Sequence, residues 1–160
     1  MTPREYAVQT LLFTRSVTEK LLDGIPEDKV CFQPTGTSNH VLWQVGHLAS
    51  AEMYFAGSIG AEGVHVPDAY NALFNDKPRP RGECPPFAAV LDTMRTTREA
   101  MLAWARSAPE SALAADLREK SKGFINDPID GLLKIGWHEG WHAGQISEIR
   151  KALGLKPAIG

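Results

Sequence analysis

Helical periodicity is the feature that most constrains this chain, because four long stretches carry it and no convincing alternating strand pattern occurs. The first stretch runs from about Pro3 to Asp23. Thr2 and Glu5 form a capping-box pattern around a proline at the first helical position. Gly24 and Pro26 follow the stretch and are typical of a helix end. These signals predict a long first helix.

Three further stretches have similar start and stop signals. The second is preceded by Ser38 or Asn39 as a capping residue. The fourth opens with an aspartate–proline pair and is followed by a glycine and then a proline. The predicted helices run from about Asn39 to Ser58, from Pro85 or Pro86 to about Ser107, and from Asp127-Pro128 to Gly154.

Four amphipathic helices of this length predict an all-α four-helix bundle, and 160 residues suggest one domain over residues 1–160. Two connections are long: residues 61–84 between the second and third helices, and residues 108–126 between the third and fourth. We expect the later connection to include a short helical turn. Long loops in a compact domain are often functional, so residues 61–84 are expected to determine substrate specificity.

Composition and charge argue against several classes of protein. The net charge is −2 and no basic cluster occurs, so nothing favours binding to nucleic acid or to an anionic membrane. No apolar run reaches about 18 residues, so a transmembrane helix is not expected. The N-terminal residues lack the cationic and then apolar pattern of a signal peptide, which makes the cytoplasm the expected location. Cys31 and Cys84 are therefore expected to be free thiols.

Two histidines near the end of the chain point to metal binding. His138 and His142 are four residues apart on the fourth helix, so their rings lie about 40° apart around its axis and can reach one ion. They share a face with Ile135, Ile146 and Ile149, which is expected to point into the core. Burying two imidazoles is unfavourable unless their nitrogens find partners, and a metal ion is one such partner. Ordinary hydrogen bonds to two core histidines are the alternative.

The same residues read His-Glu-x-x-His, the string found in zinc proteases, but a protease is not the favoured interpretation. The extended protease pattern requires a glycine and then a histidine where Gln145 and Glu148 stand. Glu139 lies about 100° from His138 around the helix, so its role is left open. A third metal ligand is therefore expected from earlier in the chain.

Three earlier histidines are candidates for the third ligand. His65 lies in a predicted loop, whereas His40 and His47 lie on almost the same stripe of the second helix, seven residues apart. A helical wheel does not choose between these two. His40 lies near the helix start, where a capping role or an exposed position would explain it without a metal ion. This modestly favours His47 as the ligand.

Three further side chains are candidates for lining a pocket at this site. Trp43 and Tyr54 share the stripe of His47 on the second helix. Gln145 lies near the face of the other two histidines, where it would hydrogen-bond either a ligand or a backbone group. No residue is assigned a catalytic role from the sequence.

The fourth helix also carries residues that bear on packing. Gly136, Gly140 and Gly144 are spaced by four on the face roughly opposite the histidines. Each glycine destabilises a helix interior by up to about 1 kcal/mol relative to alanine, so a packing reason is expected. Close packing within the bundle and a dimer contact both remain open. Trp137 and Trp141 are predicted to lie in the core or at an interface.

Two motifs and the ending of the chain resemble those of a known family. The second helix contains Asn39-x-x-x-Trp43-x-x-Gly46-His47-Leu48, and the fourth contains His138-Glu139-x-x-His142-x-Gly144-Gln145-Ile146. Arg150-x-x-Leu153-Gly154 follows the second motif. Together these segments resemble the DinB-like (DinB/YfiT) superfamily over essentially the whole chain.

The resemblance implies a four-helix bundle that holds a divalent metal ion, usually zinc or nickel, through three histidines. Carried over position by position, these ligands are His47, His138 and His142. The resemblance also implies a homodimer, because family members commonly form one.

Three histidine ligands would leave a coordination position of the metal ion for a small-molecule substrate. Three functions are compatible with such a site. One is the activation of a low-molecular-weight thiol for transfer to an electrophile. The second is hydrolysis by activated water. The resemblance favours thiol transfer, since related bundles include bacillithiol-dependent S-transferases and mycothiol-dependent isomerases. The third is a metal-containing binding or stress-response protein without turnover.

Overall fold

All regular structure in the computed structural model is helical over the residues it describes, which are 1–36, 38–75 and 85–159. Four long helices form the predicted four-helix bundle, and the all-α expectation is confirmed. Within the described ranges, no helix combines the length and apolarity that a membrane span requires. The helices are α1 (Pro3–Leu22), α2 (Val41–Ile59), α3 (Ala69–Phe74), α4 (Phe87–Ser107), α5 (Glu110–Leu113) and α6 (Pro128–Ala152), with a 3-10 turn at Glu27–Lys29.

The predicted caps hold the starts of α1 and α6. The Thr2 hydroxyl accepts a hydrogen bond from the Glu5 N–H at 3.2 Å, and the Glu5 carboxylate accepts one from the Thr2 N–H at 2.6 Å. At α6, the Asp127 carboxylate accepts from the Asp130 N–H at 2.9 Å. Each cap satisfies donors that the first turn of a helix leaves unpaired.

The start of α2 differs from the prediction. The helix begins at Val41 rather than Asn39, and the capping residue is His40 instead of Ser38 or Asn39. The His40 Nδ1 accepts a hydrogen bond from the Trp43 N–H at 3.0 Å, and the side chain is buried. An imidazole nitrogen can replace the usual carbonyl or hydroxyl oxygen as a cap because it also carries an in-plane lone pair.

The connections contain more helix than was predicted. The expected short turn in residues 108–126 is present as α5, but α3 in residues 61–84 was not anticipated. This helix has six residues and buries Tyr70 and Phe74 against the bundle. The predictions for residues 76–84, including the free thiol of Cys84, lie outside the described residues.

Two apolar clusters fill the bundle at different levels along its axis. One contains Leu21, Val45, Met94 and Ile146, and the other contains Leu11, Phe55, Met101 and Leu132. In each of the four long helices, the residues of one cluster are separated along the chain from those of the other. Polar side chains occupy the level between the clusters.

That intervening level is a buried network of four charged side chains, one from each long helix. The carboxylate of Glu139 on α6 lies 2.7 Å from Arg15 Nε on α1 and 2.7 Å from Arg98 Nη2 on α4. The carboxylate of Glu52 on α2 lies 2.5 Å from Arg98 Nε and 3.2 Å from Arg15 Nη2. Each guanidinium therefore contacts both carboxylates, and the network has no net charge.

The remaining donors of the network also have partners. Arg15 donates to the Met94 carbonyl at 2.5 Å, and Arg98 donates to the Leu11 carbonyl at 2.7 Å. Burial alone would raise the pKa of Glu139, but the charges of the two arginines lower it below its usual value. Glu139 is thus ionised, and its charge is both paired and hydrogen-bonded, which is the condition under which a buried charge is tolerated.

Removal of one arginine from the network is expected to destabilise the fold strongly. Arg98→Met leaves two buried carboxylates with one cation, so we expect the free energy of unfolding to fall by about 3–5 kcal/mol in urea denaturation. Arg95→Met on the same helix is the matched control. Arg95 pairs with Glu19 at 2.6 Å on the surface, so its loss should change stability by less than about 1 kcal/mol. Equal losses in the two variants would contradict a stabilising role for the network.

Candidate metal centre

Three imidazoles converge between α2 and α6. His47 comes from α2, whereas His138 and His142 come from successive turns of α6. One ring nitrogen from each residue lies within 4.8 Å of the others. The bundle therefore brings together the three residues that the sequence proposed as metal ligands.

The distances and the donor set fit a divalent metal ion. The Nε2 atoms of His138 and His142 are 3.2 Å apart. Two nitrogens bound tetrahedrally to zinc at 2.0–2.1 Å would be separated by about 3.3 Å. Imidazole is a common ligand of zinc and nickel, and three such ligands leave a coordination position for another molecule.

Hydrogen bonds on the far sides of two rings determine which nitrogen faces the centre. His47 Nδ1 lies 2.7 Å from the Phe74 carbonyl, an acceptor, so Nδ1 carries the proton. His142 Nδ1 donates in the same way to the side-chain oxygen of Gln44. Each neutral ring then presents the lone pair of Nε2 to the centre, an arrangement seen at metal-bound histidines.

Gln44 is a functional candidate that the sequence analysis did not identify. Its side chain is fully buried, and its Nε2 donates to Gln145 Oε1 at 2.9 Å. This second bond fixes the amide so that its oxygen faces His142. The available signal was a lone polar residue in an apolar run three positions before His47. The predicted pocket residue Gln145 thus contacts the site through Gln44.

The short helix α3 orients the third imidazole. The ring of Phe74 is fully buried and lies over Gly46, where an added Cβ would come within 2.5 Å of ring atoms. Glycine at position 46 therefore permits the close approach of α3 to α2. That approach places the Phe74 carbonyl on His47, the next residue of α2.

All three imidazoles are neutral near pH 7. Burial, followed by the charges of the neighbouring histidines His138 and His47, lowers the pKa of His142 to about 3. Burial and the charge of His47 lower the pKa of His138 to about 4 against an opposing effect of Glu139. Burial also lowers the pKa of His47, despite the Phe74 hydrogen bond. Neutral rings are the form that binds a metal ion.

Aromatic side chains form part of the wall around the imidazoles. The ring of Trp43 stacks on His47, with centroids 4.5 Å apart and planes inclined by 9°. Phe55 lies 6.1 Å from His138 between ring centroids. Trp43 is buried, as a pocket residue would be, and its Nε1 has no hydrogen-bond partner among the described residues.

Glu139, whose role the sequence left open, points away from the imidazoles. Both of its carboxylate oxygens are bound by Arg15 and Arg98 in the buried network. A carboxylate held in this way cannot act as the general base that His-Glu-x-x-His supplies in zinc proteases. The structure therefore agrees with the rejection of the protease interpretation.

Other candidate residues lie elsewhere. His40 caps α2, and His65 is exposed in the connection after α2. Tyr54 is 66% exposed and has its ring contact with Phe55. Trp137 and Trp141 were predicted to lie in the core or at an interface. Both are more than 60% exposed, which excludes the core, while their place at an interface stays a prediction.

The three glycines of α6 do not share one explanation. An added Cβ at Gly136 would lie 2.8 Å from the Thr10 side chain of α1, so this glycine packs within the bundle. At Gly140 and Gly144, an added Cβ would meet no atom of the described residues within 4 Å. Packing against those residues therefore accounts for Gly136 but not for Gly140 or Gly144.

Loss of the Gln44 hydrogen bond is expected to weaken metal binding. Gln44→Leu leaves the His142 ring without the acceptor that fixes its tautomer, so we expect zinc affinity to fall about 10–100-fold. Competition with a chromogenic chelator measures this change. The exposed Gln9→Leu on α1 is the control and should bind zinc like the wild type. Unchanged affinity in a folded Gln44→Leu protein would contradict the orienting role.

Comparison with known proteins agrees with this geometry. Curated proteins include no match to the chain. Among solved structures, the chain is similar to YfiT from Bacillus subtilis, with a TM-score of 0.66 and 16% identity over 96% of this chain and 89% of that chain. YfiT is described as a probable metal-dependent hydrolase with an unusual four-helix bundle topology, and at this identity the likeness shows the fold. The family model of the DinB superfamily matches residues 10–146, and the chain therefore belongs to the DinB superfamily.

Proposed function

We propose that this protein is a divalent-metal-dependent enzyme whose ligands are His47, His138 and His142, with zinc or nickel as the native ion. The convergence of three neutral imidazoles within 4.8 Å is the observation that carries the proposal. The hydrogen bonds from Phe74 and Gln44 support it, because they direct two Nε2 lone pairs toward one point.

The favoured reaction is transfer of a low-molecular-weight thiol to an electrophilic small molecule. A divalent ion in such a site supplies Lewis acidity, which lowers the pKa of a bound thiol or water. Among the described residues, none of the three imidazoles hydrogen-bonds a carboxylate, and Glu139 is held in the network. A thiol has a pKa near 8.5, so it needs less help to ionise at neutral pH than water does.

In this reaction the protein residues bind the metal ion and orient its ligands, and they do not transfer protons. The three imidazoles hold the ion, and Gln44 with the Phe74 carbonyl holds two of the rings. Trp43 and Phe55 restrict access of water beside them. Exclusion of water strengthens the electrostatic interactions within the site and protects the electrophile from hydrolysis.

Hydrolysis is the second candidate, and a specific observation favours it. YfiT, which shares the fold, is described as a probable metal-dependent hydrolase. Hydrolysis by this chain would use the same three ligands and activated water as the nucleophile. A binding or stress-response protein without turnover is the third candidate.

Metal content tests the ligand set. The wild-type protein should contain close to one equivalent of zinc or nickel by elemental mass spectrometry, and His47→Ala should lose it, because two imidazoles remain. His65→Ala removes an exposed histidine and should keep the metal. If a folded His47→Ala protein retained the metal, His47 would not be a ligand. If reconstituted wild-type protein contained no metal, the proposal of a metal-dependent enzyme would be rejected.

Activity assays on the same preparations separate the three candidates. Consumption of an added low-molecular-weight thiol with a monochlorobimane-type electrophile, lost in His142→Ala, would support thiol transfer. Cleavage of ester or amide substrates without thiol would support hydrolysis and reject transfer. Saturable ligand binding without either activity would support the binding protein.

We further propose that two copies associate through exposed residues of α6 and α1. Leu133, Trp137 and Trp141 form one stripe of α6 with 41%, 63% and 64% exposure, and Tyr6 on the neighbouring α1 is 58% exposed. These side chains expose on the order of 500 Å² per copy, against about 800 Å² in a standard interface. Residues around the stripe would complete a symmetric contact, in which each copy uses the same surface.

A charge placed on this stripe should separate the copies. We expect the wild type to sediment as a dimer and Trp137→Glu as a monomer, because a two-fold contact brings the two new carboxylates together. Tyr54→Glu is the control, since it alters an equally exposed aromatic residue on α2 and should leave a dimer. A monomeric wild type, or a dimeric Trp137→Glu protein, would contradict this interface.

A further inference from the structure

A concave site lies on the side of α6 away from the three histidines. It is a groove of about 540 Å³ between α1, α6 and residues 155–159. Its walls are mainly apolar and include Phe13 and Val17 from α1 and Leu155 and Ile159 from the C-terminal segment. The proposed metal site does not explain this groove, which continues the face of the proposed dimer stripe toward the C-terminal end of α6, since Gly140 and Gly144 follow Leu133 and Trp137 by seven residues.

The floor of the groove is formed by Gly140 and Gly144. Within the described part of the chain, an added Cβ at either position would meet no atom within 4 Å, whereas the nearby Gly136 is required by its contact with Thr10. Glycine weakens a helix relative to alanine, so two glycines without a packing cause within the chain point to a contact with another molecule, either a second copy or a ligand. Their effect here is to keep the floor open along successive turns of α6.

The C-terminal end of the groove is positively charged. Arg150, Lys151 and Lys156 line this end, and none of the described lining residues is acidic. Lys151 pairs with the exposed Glu148 at 2.8 Å, whereas within the described residues neither Arg150 nor Lys156 has a carboxylate at ion-pair distance.

Arg150 adds a buried charge beneath this end. Its side chain is only 9% exposed and donates to the carbonyls of Leu21, Asp23 and Lys156. Its Nε is buried and has no hydrogen-bond partner among the residues that the structure describes. Because carbonyl dipoles do not neutralise a full positive charge, this end of the groove favours an anion.

We propose that the groove binds a medium-chain monocarboxylate. The carboxylate lies between Lys151 and Lys156, above the charge of Arg150, and the hydrocarbon chain runs over the glycine floor toward Phe13. The distance from Lys151 back to Gly140 along α6 is about 16 Å, which matches an extended chain of about ten to twelve carbons. Burial of that chain provides affinity, and the cationic end fixes its direction.

Titration calorimetry of metal-loaded protein with decanoate, below its micelle concentration, tests this proposal. We expect saturable binding to the wild type and at least tenfold weaker binding to Gly144→Leu, in which the side chain fills the floor. Leucine favours the helix over glycine, so this variant should remain folded. Gly57→Leu is the matched control, because Gly57 lies in open space on α2 and its replacement should leave affinity unchanged.

The charged end is tested separately with Lys156→Glu and with decyltrimethylammonium. Decanoate should bind the variant at least tenfold more weakly, and the cationic amphiphile should bind the wild type at least tenfold more weakly than decanoate does. Equal binding of the two amphiphiles, equal binding to Gly144→Leu and wild type, or no decanoate binding would each overturn the proposal. These outcomes leave the metal content unaffected, so the metal site is judged independently.

Discussion

The buried contacts among Arg15, Glu52, Arg98 and Glu139 are the constraint on which the arrangement of the bundle depends. Each of the four long helices contributes one charge, and each charge is compensated only when the opposite charges from other helices are in place. Apolar side chains would tolerate small rotations of a helix, because hydrophobic burial has no direction. Hydrogen bonds to a buried carboxylate tolerate much less, since an unpaired buried charge is strongly unfavourable. The network thus fixes the rotation of all four helices about their axes.

That fixed rotation explains why the string His-Glu-x-x-His has a different use here from its use in zinc proteases. Adjacent residues of a helix differ by about 100°, so a glutamate held in the network turns His138 and His142 toward α2. Glu139 then stabilises the bundle, and the two imidazoles face the proposed metal centre. The string alone does not indicate these separate roles, because they depend on arginines contributed by α1 and α4.

Local signals in the sequence were sufficient for the long helices but not for the contacts between them. Caps and periodicity depend on residues within a few positions of each other, and they predicted α1 and α6 well. The role of His40 as a cap was open, because an imidazole serves equally as cap or ligand. Gln44 was missed because its partners come from α6, nearly a hundred residues away. For Trp137 the core and an interface both stayed open, because hydrophobicity alone does not distinguish a core face from an exposed one.

The connection between α2 and α4 was expected to determine specificity, and its contacts divide it into two kinds of position. Phe74 both packs on Gly46 and accepts the hydrogen bond of His47, so a change that moves this residue also turns a proposed metal ligand. Earlier positions in the connection, such as His65 and Asp68, have exposed side chains. Within residues 61–75, substitutions at exposed positions are therefore compatible with an intact centre, whereas a substitution that moves Phe74 would also turn the imidazole of His47.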